Sequence, residues 1–554
     1  MKQRILSFAL ILVFCITTIS SCGSKAAGNP DALFDWENNP VNIVEDNYRN
    51  YYEIFVRSFY DTNGDGIGDL NGVTAKLDYI KDMGFNGIWL MPIMPSPTYH
   101  KYDVTDYMSV DSVYGSVDQY KDLVTEAHKR GIRVIIDFVM NHTSTGHPWF
   151  KEACKALKGG KDKSLSELAK ECKYINYYHF ADSKVSSTYY QVSGTEVYYE
   201  GQFWDQMPDL NYACADLRRE FEDIAKFWVD LGTDGFRMDA TLHFEENDTA
   251  FNCEVMNWIY KYCKTLNPEF YMVSEVWDQS TASLAQYYGS ETDSLFNFNV
   301  GGPEGMLLSV ARGNLKAEAF VKTMVGYEET FGAAYDKYID APFITNHDMG
   351  RVTNTLNSNV DSMKYAGGLL LSMNGSPFVY YGEEIGLKSK GSKDENKRLP
   401  MEWGEENGRT NPPPGADKVE QNFPPVSEQL TDQESILKYY KRALLLRNQY
   451  PEIARGHAEI VDRVTSGHAA AVVKDYNGDA IGIVYNSSPT ELVNLDTKQV
   501  YFIKNQLEHV TGQTANNIEI VGFLTVDNSE PSLSEETMTL PPRSITYVKL
   551  KQKK

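Results

Sequence analysis

Basic residues are in short supply: 53 Lys and Arg stand against 76 Asp and Glu, a formal net charge of −23 over 554 residues. A surface of that sign repels phosphate backbones and anionic headgroups, which excludes nucleic acid as a partner and favours a neutral substrate. Cysteine is scarce as well, with seven in the chain. No two stand at CxxC spacing and no His/Cys cluster occurs, which argues against zinc. Long apolar runs are missing beyond the N-terminus. No later stretch reaches the roughly 20 residues that a membrane-spanning helix needs.

What is present begins at the N-terminus. Lys2 and Arg4 precede an apolar run from Ile5 to about Ile16, and Ile19-Ser20-Ser21 leads into Cys22. That is a signal peptide of the lipoprotein kind, and it resembles a bacterial lipobox in which cleavage leaves Cys22 as an acylated N-terminus. Residues 1–21 are therefore expected to be removed. Residues 22–45, rich in Gly, Ser, Asn and Pro, read as a tether. The mature protein is expected to be exported and held by lipid at the bacterial cell membrane or cell surface. Cys154, Cys172, Cys214, Cys253 and Cys263 then remain, an odd set in which pairing of Cys154 with Cys172 is one option outside the cytoplasm. Aromatics make up 12% of the chain, enough to fill a large core and also to offer flat rings to sugar faces.

From about residue 46 the pattern repeats as strand, loop, helix. Short β-rich segments fall at 53–56, 87–90, 134–136, 235–238, 271–273, 295–298, 342–344 and 377–380. Eight near-continuous apolar strands with helices between them predict a (β/α)8 barrel, an α/β fold, over 46–142 and 213–450. The stretch 143–212 after the third strand is too long for a loop and predicts an inserted domain. A polar segment at 388–431 follows the eighth strand. Residues 451–554 alternate short strands with turn signals such as Tyr476-Asn477-Gly478-Asp479, which predicts a C-terminal all-β sandwich.

Barrels of this kind carry their chemistry where strands end. Asp137, Asp239, Glu275 and the pair His347-Asp348 all stand at such ends. One such carboxylate is commonly a helix cap. Four with Arg237 and two His among them suit glycoside hydrolysis, which needs one ionised carboxylate and one protonated one. Crowding of like charges raises the pKa of one member. Arg237, two residues before Asp239, leaves its strand on the same side and can hold that carboxylate ionised.

The segments Asp137-Phe138-Val139-Met140-Asn141-His142, Gly235-Phe236-Arg237-Met238-Asp239-Ala240, Ser274-Glu275-Val276-Trp277 and Phe343-Ile344-Thr345-Asn346-His347-Asp348 resemble the four signature regions of the α-amylase family, glycoside hydrolase family 13, in the family's order. Gly375 to Glu384 resembles its eighth-strand motif. Met207-Pro208-Asp209-Leu210-Asn211 resembles its inserted-domain marker, in the form of a group intermediate between oligo-1,6-glucosidases and neopullulanases. The resemblance implies an α-glucan substrate, with Asp239 as nucleophile, Glu275 as general acid/base and Asp348 as the group that stabilises the transition state through sugar hydroxyls. It implies that His142, Arg237 and His347 line the same subsite. It also puts His100, Tyr102 and Asp103 in a substrate-contacting loop, with Tyr102 stacked on the sugar at the cleavage point. His243, Trp277 and Arg351 complete the expected substrate-binding set, and Trp204 is a further stacking candidate. Core packing is the other reading of Tyr102, and a structural role that of Trp204 and Trp277.

Asp61-Thr62-Asn63-Gly64-Asp65-Gly66-Ile67-Gly68-Asp69 carries oxygen ligands on alternate residues, the pattern of a calcium loop. Position twelve is Gly72, so the loop is not a complete EF-hand. The expected Ca2+ ligands are the side chains of Asp61, Asn63, Asp65 and Asp69 and the carbonyl of Ile67; family members with this loop bind a cation there, and a metal-free Asx-turn is the alternative.

Family members specific for α-1,6 links tend to carry Val directly after the nucleophile. Here Ala240 stands there, which implies retaining cleavage of α-1,4 links as in α-amylases. Leu242-His243 departs from the Lys-His of many α-amylases and removes that lysine's hold on the second leaving-group sugar. A transglycosylase, neopullulanase or α-glucosidase of the same family is the alternative. A non-catalytic glucan-binding protein is disfavoured by the intact Asp239, Glu275 and Asp348.

Overall fold

Successive side chains of a strand leave on opposite faces, so alternate residues of each barrel strand point to the barrel interior. The computed structural model describes residues 44–534 and 537–551. Tyr51–Ile54, Gly87–Leu90, Arg133–Phe138, Gly235–Met238, Tyr271–Ser274 and Ser294–Leu295 pair in that order as a parallel sheet, with Phe378–Tyr380 on the outer side of the first strand. Parallel bridges from Phe296 to Ala341 and from Phe343 to Phe378 supply the seventh stave and close the (β/α)8 barrel. The strand expected at 342–344 is reduced to these two bridges, because Pro342 has no N–H to donate to a ladder.

The inward positions form a floor and a ceiling. Tyr51, Trp89, Ile135, Val273, Phe296 and Phe378 belong to one apolar cluster, with the Tyr51 ring stacked 4.6 Å from Phe378 and 5.3 Å from Tyr271. Gly87 makes room for this stack, since a Cβ there would stand 2.5 Å from the Tyr51 ring. Two residues further along their strands, towards the C-terminal ends, stand Glu53, Asp137 and Glu275, with Arg237 beside Asp137 in register. An aromatic floor thus carries a charged ceiling.

Amphipathic helices cover the outside. Ala215–Asp230, for example, buries Leu217, Phe221, Ile224, Ala225 and Trp228 at helical spacing. Between the third and fourth strands, the helices Pro148–Gly159 and Leu165–Glu171 and an antiparallel sheet of Phe180–Ala181, Tyr198–Glu200 and Tyr189–Gln191 form the insertion. A bridge from His142 to Asp209 ties its end to the barrel. Cys154 and Cys172 are free thiols, as are Cys214, Cys253 and Cys263, so the pairing considered from sequence is not formed.

The C-terminal domain has a five-stranded antiparallel sheet and a three-stranded one. Between them lies a helix that the alternating strand pattern did not predict, Thr497–Thr511, with Val500, Ile503 and Leu507 buried in the same core as Val473, Val484 and Leu540. Its ends were written in the sequence: Asp496 and Gln499 form a capping box and Gly512 adopts φ 66°. The expected signal peptide (1–21), the acylated Cys22 and all but the last two residues of the tether lie outside the described residues. No helix among the described residues is long and apolar enough to cross a membrane.

Candidate active site

Asp239, Glu275 and Asp348 open onto one cavity of about 440 Å³. Beneath it, a single guanidinium organises the first two. Arg237 Nη1 donates to Asp239 Oδ1 at 2.5 Å and to Asp137 Oδ1 at 2.8 Å, while Nη2 lies 2.8 Å from Glu275 Oε1. The other oxygen of Glu275 accepts the backbone N–H of Ala240 at 3.1 Å. To present that N–H, Ala240 takes a left-handed φ of 52°. Such strain costs roughly 1–3 kcal/mol and persists where surrounding contacts over-determine it. Here Thr241 clamps the turn, its N–H and hydroxyl both donating to the Glu275 carbonyl.

The carboxyls are pushed apart electrostatically. Burial raises Glu275 to about 7, with Asp239 and Asp348 adding to the shift and Arg237 opposing it. Burial likewise raises Asp137 to about 7 against the pull of Arg237. For Asp348 burial acts in the same sense, but His347, Arg398 and Arg237 overcome it and hold the carboxyl well below the usual range. A proton carrier and an anion therefore face one cleft.

Asp348 is gripped from two sides. Oδ1 accepts from Arg398 Nη2 at 2.7 Å and Oδ2 lies 3.0 Å from His347 Nε2. Tyr102 stacks on His347 at 5.5 Å and lines the cavity. His100 and His142 complete that wall, and burial lowers the pKa of both, to about 4 for His100. His142 Nε2 is buried with no protein partner, an orphan that a sugar hydroxyl would satisfy. Phe203, Trp204 and Trp277 line the mouth while 49%, 41% and 45% exposed, large rings turned to water at a cleft.

The remaining predicted residues lie further out or deeper. Asp103 is buried behind the wall, accepting from the hydroxyls of Ser96 and Thr98. His243 bonds to Glu246 and packs edge-on against Phe203. Arg351 is corrected: it does not line the cavity. Its guanidinium is captured by the carbonyls of Tyr381 and Lys397 and lies over the Tyr380 ring at 4.1 Å. The arginine that reaches Asp348 is Arg398, from the segment after the eighth strand, which also brings Asp394 to the cavity. Sequence reasoning missed both, along with Phe203 and Glu53. For Glu53 a signal existed, its place two residues after Tyr51 on an inward face; for Arg398 no local pattern marks it.

In the 61–69 loop, Asp61 Oδ1 accepts the N–H groups of Asn63 and Gly64 and Oδ2 accepts that of Gly66. Asp65 accepts from Ile67, and Asp69 accepts from Thr62 and caps the following helix at Gly72. The loop is a run of Asx-turns whose oxygens already face N–H groups. Among the described residues no three His, Cys, Asp or Glu converge as a metal-binding group.

A buried acid poised near neutrality and a carboxylate ion-paired to the same guanidinium, under an aromatic-rimmed cleft on a (β/α)8 barrel, define a glycoside hydrolase. Residues 53–456 match the alpha amylase catalytic domain family, and the chain belongs to that family. Alpha-amylase 3 of Dictyoglomus thermophilum is 34% identical over 523 residues, covering 91% of this chain and 94% of that protein. The probable oligo-1,6-glucosidase 2 of Bacillus subtilis is 29% identical over 498 residues, 74% of this chain and 85% of that protein. The structure of Eubacterium rectale Amy13B matches with a TM-score of 0.87 at 37% identity, covering 95% of this chain and all of that one.

Proposed function

We propose that this enzyme hydrolyses α-1,4-glucosidic bonds in starch, glycogen and maltooligosaccharides with retention at the anomeric carbon. The observation that carries the reading is the sharing of Arg237 between Asp239, an ion-paired carboxylate, and Glu275, a buried acid near neutrality. Asp239 attacks the anomeric carbon as Glu275 gives its proton to the departing oxygen. Glu275, now a carboxylate, takes a proton from water, which attacks the glycosyl ester and frees Asp239. Asp348 binds sugar hydroxyls as positive charge develops on the ring. The linkage preference rests on Ala240: next to the nucleophile and 5% exposed, its small side chain leaves room for the leaving-group glucose in the α-1,4 pose. Hydrolysis of maltotetraose and isomaltotetraose under matched conditions tests this, with the product anomer followed by NMR. Faster release of α-anomeric product from maltotetraose is expected; equal or faster cleavage of isomaltotetraose would sink the linkage assignment.

Two attachments accompany this reading. Ca2+ is proposed to sit on the 61–69 loop through Asp61, Asn63, Asp65, Asp69 and the Ile67 carbonyl, as a structural brace. The oxygen-rich donor set suits a hard cation, although each carboxylate also serves the loop's own N–H groups. Export and acylation at Cys22 are proposed to hold the enzyme at the membrane, supported by the charged, apolar and small-residue order of residues 2–22.

A further inference from the structure

Glu53 stands on the first barrel strand and is 1% exposed. A carboxylate so far from water needs a specific partner. Its Oε1 lies 2.6 Å from Nδ1 of His347, itself fully buried. The other ring nitrogen, Nε2, lies 3.0 Å from Asp348 Oδ2 and 2.7 Å from the Tyr102 hydroxyl.

Donor accounting decides the state of that ring. Tyr102 donates its hydroxyl hydrogen to Asp137 Oδ2 at 3.0 Å, so towards His347 its oxygen accepts. Were the hydroxyl turned the other way, Asp348 Oδ2 would still face Nε2. Both ring nitrogens thus face carboxylates. A neutral imidazole has one N–H and would turn a lone pair on one of them; the imidazolium satisfies both.

We infer that Glu53 is a positioning residue for hydrolysis: by accepting from Nδ1 it keeps His347 doubly protonated, and His347 in turn holds Asp348 anionic and aimed into the cleft. The inference rests on the role given above to Asp348. The ring is enclosed on every side by identifiable groups. Trp89 meets it edge-on at 5.6 Å, Tyr102 covers one face with Asp137 behind it, Glu275 acts across the cleft, and Arg398 donates to the His347 carbonyl. Burial works against the charged ring, yet Asp348 and Glu53 outweigh it and raise the imidazole to about 9. Glu53 supplies one of the two carboxylates responsible, from a residue 294 positions away in the chain.

The test is histidine side-chain ¹⁵N NMR on the full chain, with the His347 signal identified by its loss in His347→Gln, beside kinetics on maltotetraose across pH. In the wild type both ring N–H groups should persist through about pH 8. Glu53→Gln keeps an acceptor of the same shape but removes the charge. Its His347 midpoint should fall by at least about one pH unit. Its kcat should fall by more than about tenfold above neutrality and recover towards wild type as the pH is lowered, because acid repopulates the imidazolium. A merely structural residue would give a loss that is the same at every pH. A ring that is neutral at pH 7 in the wild type overturns the inference, and so does a folded Glu53→Gln with an unmoved His347 titration. If Glu53→Gln does not fold, the wild-type titration decides alone: imidazolium supports the inference and neutral imidazole ends it. An enzyme that cut only isomaltotetraose would overturn the linkage reading, and the same titration and pH profile on that substrate would still decide the role of Glu53.

Discussion

Arg237 Nη2 lies 2.8 Å from Glu275 Oε1, so the residue given the task of carrying a proton sits against a permanent cation. Burial, helped by Asp239 and Asp348, wins that contest and leaves Glu275 at about 7. The first step needs Glu275 protonated, so kcat/KM should decline as pH rises through that value. Glu275→Gln should cost roughly 10²–10⁴-fold on starch and abolish this alkaline limb. Activity should partly return on aryl maltosides, whose leaving groups need little proton donation. Equal losses on both substrates would count against the acid assignment.

Asp239→Asn keeps an acceptor for Arg237 but cannot form a stable glycosyl ester. Activity should drop by roughly three orders of magnitude or more while the thermal transition stays cooperative. A purified variant that keeps more than a few per cent of the wild-type rate of reducing-sugar release rejects Asp239 as nucleophile.

The 61–69 loop calls for a test that separates metal from turn. Asp61 accepts three backbone N–H groups, so Asp61→Ala with Asp65→Ala should lower Tm even without calcium. The diagnostic readout is therefore the calcium dependence of Tm. Chelation should lower Tm of the wild type and added Ca2+ should restore it, by mass action on the folded state. The double variant should lose that response. A wild-type Tm indifferent to chelator would leave the loop as Asx-turns only.

Ala240→Val has two effects. The added methyls crowd the leaving-group side, worth roughly 1–3 kcal/mol of discrimination, and should shift relative rates from maltotetraose towards isomaltotetraose. Ala240 also holds φ 52°, a region hostile to β-branched residues, so Tm should fall as well. An unchanged rate ratio in a folded variant would disconnect this position from linkage choice.

Cys22→Ser should block acylation, and the enzyme should leave the detergent phase on Triton X-114 partitioning of cell extracts. Unchanged partitioning would mean that the lipobox reading is wrong.

Much of the site was legible because its elements are local. Period-two alternation puts Arg237 and Asp239 on one face of one strand, and a carboxylate at a strand end in a barrel faces the cleft whichever helices surround it. The helix Thr497–Thr511 was hidden for a related reason: its apolar positions are few, and strands on both sides set the expectation, although its caps were in plain view.

The sequence by itself determined the barrel, the insertion after its third strand, the appended β-domain and the three carboxylates at the cleft, because period-two patterning and strand ends are properties of contiguous residues. Only the tertiary structure decided which arginine serves Asp348. Arg351 lies three residues from Asp348 in the chain but is taken up by the carbonyls of Tyr381 and Lys397, while Arg398, 50 residues away, arrives at 2.7 Å. Only the tertiary structure, too, set Glu53 against His347 and pushed Glu275 up to about 7. Barrel closure brings residues from the first and seventh staves together and removes water from between them. Neither that proximity nor that desolvation is written in any local stretch of chain.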